Sequence, residues 1–164
     1  MLEKKIKKIS ELKDISSGLK RKSKKIVFTN GCFDLLHYGH VQYLQEAKEK
    51  GDILIVGINS DASVKKIKGT KRPIICEKDR LRTIAGLESV DFVTLFDEDT
   101  PLRLIKELKP DILIKGADWQ KKDIVGNKTV CEYGGKVMTI KLAEGRSTTD
   151  LIKKIAKLFA YKIR

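Results

Sequence analysis

From Lys25 onward the chain alternates between two hydrophobic patterns: short runs of β-branched and aliphatic residues, and longer stretches with apolar residues every three or four positions. The runs Ile26 to Thr29, Ile53 to Ile58, Phe92 to Leu95, Ile112 to Ile114 and Lys136 to Ile140 predict strands. The stretches Tyr38 to Lys50, Glu77 to Gly86, Pro101 to Leu108 and Thr148 to Tyr161 predict helices. Strands apolar on both faces and separated by helices predict an α/β fold, a doubly wound parallel sheet with helices on both faces. In such sheets ligands bind at the carboxyl ends of the strands, where the strand order switches direction. The stretch Met1 to Lys25 reads as a lysine-rich helix with apolar positions at Ile6, Ile9 and Leu12 and an interruption at Ser16-Ser17-Gly18. The expected organisation is an N-terminal helical arm over 1–24, packed on a domain over 25–164.

A length of 164 residues suits one domain, since a core of this size buries about 70% of the surface of the unfolded chain. The 41% of hydrophobic residues are dispersed in short runs, which argues against disorder and against a membrane span. The N-terminus lacks the features of a secretory signal. Cys32, Cys76 and Cys131 are odd in number and form no CxxC, so neither a disulfide framework nor a zinc site is expected, and the cytoplasm is the default location. The formal charge of +13 favours polyanions but does not separate nucleic acid from a nucleotide.

The loop after the first predicted strand carries the sharpest signal. Thr29-Asn30-Gly31-Cys32-Phe33-Asp34-Leu35-Leu36-His37-Tyr38-Gly39-His40 is neither GxGxxG nor a Walker A loop, and it contains both histidines of the protein. Their spacing places both imidazoles on one side of a helix N-terminus, where ring and backbone N–H groups converge on phosphoryl oxygens gaining charge. Gly39 would leave room for a nucleotide to approach the helix backbone. The plain alternative is packing at a helix start.

Other strand ends add to this picture. Val64 to Pro73 reads as a mobile basic lid over a polyphosphate or as a solvated charged loop. Within Lys115-Gly116-Ala117-Asp118-Trp119, Asp118 would accept from a ribose hydroxyl or a base, while Trp119 would stack on the base or fill the core edge. Ser147-Thr148-Thr149, behind Gly145 and Arg146, reads either as a helix cap or as a phosphate-binding helix start. Asp34 is a candidate metal contributor or a turn carboxylate. Magnesium, the expected ion, takes most of its oxygens from a triphosphate, so no protein ligand set is assigned.

The run Gly31 to His40, a Phe-Asp segment leading into HxGH, resembles the signature of the cytidylyltransferase-like nucleotidyltransferases. The resemblance implies a Rossmann-like nucleotidyltransferase fold with catalytic roles for His37 and His40 and nucleotide contacts from Cys32, Phe33 and Gly39. Lys68-Gly69 and Arg72-Pro73 look like the family's lysine-glycine and arginine-proline elements, which would put Lys68 near the α-phosphate and Arg72 on the outer phosphates. Arg80 matches a family arginine that would touch substrate, with a helix-surface salt bridge as the other reading. Glu144 to Thr149 resembles the second signature, assigning nucleotide contacts to Gly145, Arg146, Ser147, Thr148 and Thr149.

From Lys24 to Ile155 the similarity is greater to heptose 1-phosphate adenylyltransferases, which make an ADP-heptose for the inner core of lipopolysaccharide. Val27 to Gly31, Val56 to Asp61, Phe96 to Pro101, Leu113 to Asp118 and Arg146 to Thr149 carry it. The resemblance implies ATP and a sugar phosphate as substrates, Mg²⁺ as the ion, a homodimer and a free-standing form served by a separate heptose kinase. A phosphate nucleophile is already ionised, so no general base is required. A glycerol 3-phosphate cytidylyltransferase shares both signatures, and a pantetheine-phosphate adenylyltransferase shares the HxGH. A nucleic-acid-binding domain would account for the charge but would leave the histidines, glycines and Ser-Thr-Thr without a role.

Overall fold

The computed structural model describes residues 2–117, 120–143 and 145–160. After helix α1 (Ile9–Arg21), strands β1 (Ile26–Gly31), β2 (Ile53–Asn59), β3 (Phe92–Phe96), β4 (Ile112–Gly116) and β5 (Lys136–Ile140) build one parallel sheet in the order β3-β2-β1-β4-β5. Helix α2 (Tyr38–Lys48) joins β1 to β2, and α3 (Asp61–Lys68) with α4 (Glu77–Ala85) leads to β3. Helix α5 (Leu102–Leu108) carries the chain back across the sheet to β4, α6 (Asn127–Glu132) leads to β5, and α7 (Thr148–Phe159) follows. The order reverses between β1 and β4, which opens a crevice at their carboxyl ends.

Consecutive strand residues face opposite sides, so the sheet divides the core in two. Val27, Leu54, Val56, Val93 and Ile114 pack with Tyr43, Leu44 and Ala47 of α2 and Ile84 of α4. Ile26, Phe28, Ile55 and Leu113 pack on the other face with Leu12 of α1, Leu104 and Ile105 of α5 and Val130 of α6. At the amino ends of the strands, carboxylates hold backbone donors. Asp52 accepts from Lys25 N at 2.7 Å, Asp111 from Ile26 N at 2.7 Å and Asp91 from Leu54 N at 2.6 Å.

The strands run one or two residues further than the apolar runs predict, except β5, and this extension carries Asn30, Asn59 and Lys115 to the crevice. The expected break at Ser16-Ser17-Gly18 does not occur. Helix α1 continues through it, with Ser16 buried and Ser17 Oγ donating to Lys13 O at 2.9 Å. The lid reading also needs correction, because residues 64–68 belong to α3. Ser60 caps that helix by accepting from Ser63 N at 3.0 Å, and Gly69 ends it at φ 93°. Helix α6, also unpredicted, follows Gly126 at φ 89°.

Helix α7 has no buried residue, and Leu151, Ile155, Leu158 and Phe159 along it are exposed. No described helix is long and apolar enough to cross a membrane. All three cysteines are free.

The N-terminal segment is tied to the domain by Lys7 N donating to Val93 O at 2.9 Å and by Leu12, which is fully buried. Truncating a buried leucine costs about 2–5 kcal/mol. Leu12→Ala is expected to lower the unfolding free energy by that amount in urea denaturation, and a loss below about 0.5 kcal/mol, typical of surface sites, would refute this packing.

Candidate active site

The crevice holds a cavity of about 550 Å³ whose floor is the loop between β1 and α2. His37 is the N-cap of α2 in an extended conformation, and its carbonyl accepts from His40 N at 2.9 Å. This local turn brings the two imidazoles face to face, centroids 3.9 Å apart and planes 23° apart, with Phe33 edge-on to His40 at 5.3 Å. Gly39 makes the stack possible: a Cβ there would lie 3.1 Å from the His37 ring and 3.3 Å from Arg146 Cβ. The space beside Gly39 therefore belongs to His37, which corrects the expectation that it is left for a nucleotide.

Burial, and after it the neighbouring His37, pushes the His40 imidazole down to about 4. Burial, followed by Arg146, also lowers His37. His40 is thus neutral at neutral pH, with one ring N–H to donate and one nitrogen to accept. The Nδ1 atoms of both rings are buried with no hydrogen-bond partner among the described residues.

Behind the loop lies a charged girdle. The Asp34 carboxylate accepts from Ile74 N at 2.8 Å, Ile75 N at 2.9 Å and Arg72 Nε at 2.6 Å. Burial would raise this carboxyl, but the Ile75 and Ile74 amides and Arg72 outweigh it and hold it below the usual carboxylate range. Asp34 is therefore a turn carboxylate that fixes Arg72 at the cavity wall. Arg80 is 1% exposed and is not among the residues that line the cavity. It donates to Ile75 O at 2.9 Å, Cys32 O at 2.5 Å and Asp61 Oδ1 at 2.7 Å. The substrate role suggested for Arg80 gives way to that of a buried strut, and the surface salt bridge to a buried one. Burial raises the Cys32 thiol despite the pull of Lys68, Arg80 and Arg72, which keeps it protonated.

Of the residues singled out in the sequence, Cys32, Phe33, His40, Lys68, Arg72, Thr148 and Thr149 line the cavity. His37, Gly145, Arg146 and Ser147 instead border an adjoining hollow of about 220 Å³, so the stacked histidines stand between the two. Ser147 Oγ is engaged in capping α7, accepting from Asp150 N at 3.0 Å and donating to Asp150 Oδ2 at 2.7 Å. Arg146 lies 5.8 Å from the Tyr38 ring centroid. Asp118, Trp119 and Glu144 lie outside the described residues.

Sequence reasoning missed Asn30, Asn59, Asp99 and Lys115, which also line the cavity. Lys115 Nζ donates to Asn30 O at 3.2 Å. For Asn30, Asn59 and Lys115 the available signal was a polar residue at the end of an apolar strand run, whereas Asp99 lies three residues beyond β3. No group of three or more His, Cys, Asp or Glu that could hold a metal occurs among the described residues.

The His40 shift has a measurable sign. Its native value of about 4 lies below the ordinary 6.5. Between those values the unfolded chain binds the extra proton, so native stability is fully present above the window and falls as pH drops through it. Wild type is expected to lose more unfolding free energy than His40→Gln between pH 6.5 and 4; equal slopes in urea titrations would rule out the depressed imidazole.

The family model described as cytidylyltransferase-like matches residues 28–154. The chain is 53% identical over 155 residues to the bifunctional protein HldE of Geobacter metallireducens, covering 94% of this chain and 32% of that one. It is 53% identical over 150 residues to the bifunctional protein HldE of Helicobacter pylori, covering 92% and 32%. The chain thus spans about a third of the length of these curated relatives. A solved lipopolysaccharide core biosynthesis protein of Thermoplasma volcanium GSS1 aligns with a TM-score of 0.62 and 31% identity over 75% of this chain and 99% of that one. A pantoate-beta-alanine ligase of Francisella tularensis shares the fold, with a TM-score of 0.62 at 17% identity over 94% and 77%. The HxGH loop that builds the histidine stack lies within the matched region, and the chain belongs to the cytidylyltransferase-like family of nucleotidyltransferases.

Proposed function

We propose that this chain transfers the adenylyl group of ATP to a heptose 1-phosphate, giving ADP-heptose and pyrophosphate for lipopolysaccharide core precursors. The observation that carries the reading is the neutral His37–His40 stack at a helix start, facing a cavity whose other walls hold Lys68 and Arg72. The similarity to HldE and to a lipopolysaccharide core biosynthesis protein supports the heptose assignment.

In this reaction an ionised oxygen of the sugar phosphate attacks the α-phosphorus in line. The bond from the α-phosphorus to the bridging oxygen breaks, and its electron pair leaves with pyrophosphate. No proton need move, which agrees with histidines that act as donors rather than bases. The His40 N–H stabilises charge on the α-phosphoryl oxygens, Lys68 neutralises charge as it develops there, and Arg72, braced by Asp34, binds the outer phosphates. Thr148 and Thr149, at the start of α7, add hydroxyl and backbone donors.

The donor set suits a magnesium ion that arrives on the triphosphate, since the Asp34 carboxylate is engaged by Arg72 and two amides. When bound, the ion would shield the pyrophosphate leaving group. A homodimer, a separate upstream heptose kinase and a cytoplasmic setting belong to the same proposal.

A pyrophosphate-release panel crossing ATP, CTP, GTP and UTP with heptose 1-phosphate, glycerol 3-phosphate and phosphopantetheine is expected to give the highest kcat/KM for ATP with heptose 1-phosphate. A higher value for CTP with glycerol 3-phosphate would overturn the assignment. Removing one preorganised donor costs about 10² to 10³ in kcat. His40→Ala should lose that much with little change in thermal stability, whereas a helix-packing role would give the reverse.

A further inference from the structure

On the α5 side of the sheet the cavity wall has a different chemistry. Asn30 near the end of β1, Asn59 at the end of β2 and Asp99 beyond β3 all line it. Asn30 lies two residues past Phe28 and Asn59 four past Ile55, so strand alternation puts both on the face of the apolar cluster beneath α5. Asn30 Oδ1 is buried and has no hydrogen-bond partner among the described residues. Gly57, its register partner on β2, allows this placement, since a Cβ there would come within 3.3 Å of Asn30 Cβ. The Asn59 amide is fixed by Nδ2 donating to Ser63 Oγ at 3.0 Å, and Ser63 Oγ donates onward to Glu98 O at 3.1 Å. That leaves the Asn59 carbonyl oxygen as its group for a ligand. Asp99 adds an exposed carboxylate, 3.4 Å from Lys66.

The oxygens gathered here are acceptors, and a buried acceptor without a donor destabilises the fold until something donates to it. An ionised phosphate has no donor to offer, and neither does a hydrocarbon chain. A carbon chain bearing several hydroxyls has one at each carbon. We propose that this wall binds the polyhydroxyl part of the acceptor substrate, with Asn30 and Asn59 determining specificity for a sugar phosphate. The inference rests on the adenylyl-transfer reading and deepens it by setting a polyol wall of acceptor oxygens, with Lys115 beside it, opposite the phosphate side of Lys68 and Arg72.

The test is steady-state kinetics of the full chain with ATP and heptose 1-phosphate. Loss of one hydrogen bond to the acceptor corresponds to about a tenfold change in affinity. Asn30→Ala is expected to raise the acceptor KM about that much and to leave the ATP KM within about twofold. Asn30→Asp, which keeps an acceptor oxygen, should recover most of the loss. Asn59→Ala carries the same expectation and serves if Asn30→Ala loses its fold by circular dichroism.

An unchanged acceptor KM in an enzyme that still turns over ATP and heptose 1-phosphate overturns this assignment alone. Absence of turnover in wild type counts against the adenylyl-transfer reading instead. In that event calorimetric titration with heptose 1-phosphate still tests the wall: tenfold weaker binding by Asn30→Ala supports it, and equal or absent binding in both proteins overturns it.

Discussion

The peptide at Ile74–Ile75 is gripped from both sides, and the geometry of the site depends on that grip. Asp34 accepts its amides, while Arg80, fully buried, holds the Ile75 carbonyl together with the Cys32 carbonyl and the Asp61 carboxylate. One carboxylate and one guanidinium therefore join the loop after β1, the start of α3 and the segment entering α4. An arginine suits this because its planar fork reaches three acceptors in fixed directions. Removing one partner of such a buried pair leaves an uncompensated charge and costs about 3–5 kcal/mol. Arg72 gains its position from the same girdle, in which Asp34 shares the cavity wall with it while the buried Arg80 holds the surrounding loops.

The histidine stack follows from a second constraint. Two imidazoles 3.9 Å apart repel if both are charged, and burial at a helix start, with its positive end, also disfavours protonation. A neutral pair can donate without adding fixed positive charge, so in the proposed reaction cationic attraction for the triphosphate would fall to Lys68 and Arg72. That division would let the histidines of the proposed reaction act on charge that appears only in the transition state.

The sheet, its parallel sense and the HxGH loop were legible because each rests on a local pattern: apolar runs, helical periodicity and the only histidines of the chain. Helix α3 was not, because a lysine run at its end imitates a loop, although Ser60 before it and Gly69 after it are cap signals. The continuity of α1 through Ser16-Ser17-Gly18 was hidden because it depends on tertiary packing of Leu12 and Ser16, which overrides weak helix propensity. Arg80 and Gly39 were read as ligand contacts because a motif records that a residue type is required, not which neighbour requires it. The partners are distant in sequence for Arg80, and for Gly39 one of them is a ring two positions away.

In-line displacement requires the attacking and leaving oxygens on opposite sides of the α-phosphorus. The period of two along a strand provides this separation. Helix α2 packs on the face that buries Val27 and Val56, and the start of α7 is linked to the loop before α2, where Thr148 Oγ1 donates to Leu35 O at 3.4 Å. Asn30, Asn59 and Lys115 emerge on the opposite face, above Phe28, Ile55 and Leu113. In the proposed reaction, a nucleotide held by His40 and the α7 start would have its α-phosphorus over the carboxyl end of β1, with the polar wall of Asn30 and Asn59 beyond it. A one-residue shift in the end of β1 would turn Asn30 to the histidine side and remove that opposition. The register of Asn30 beside Gly57 is therefore as much a part of the proposed chemistry as the histidines themselves.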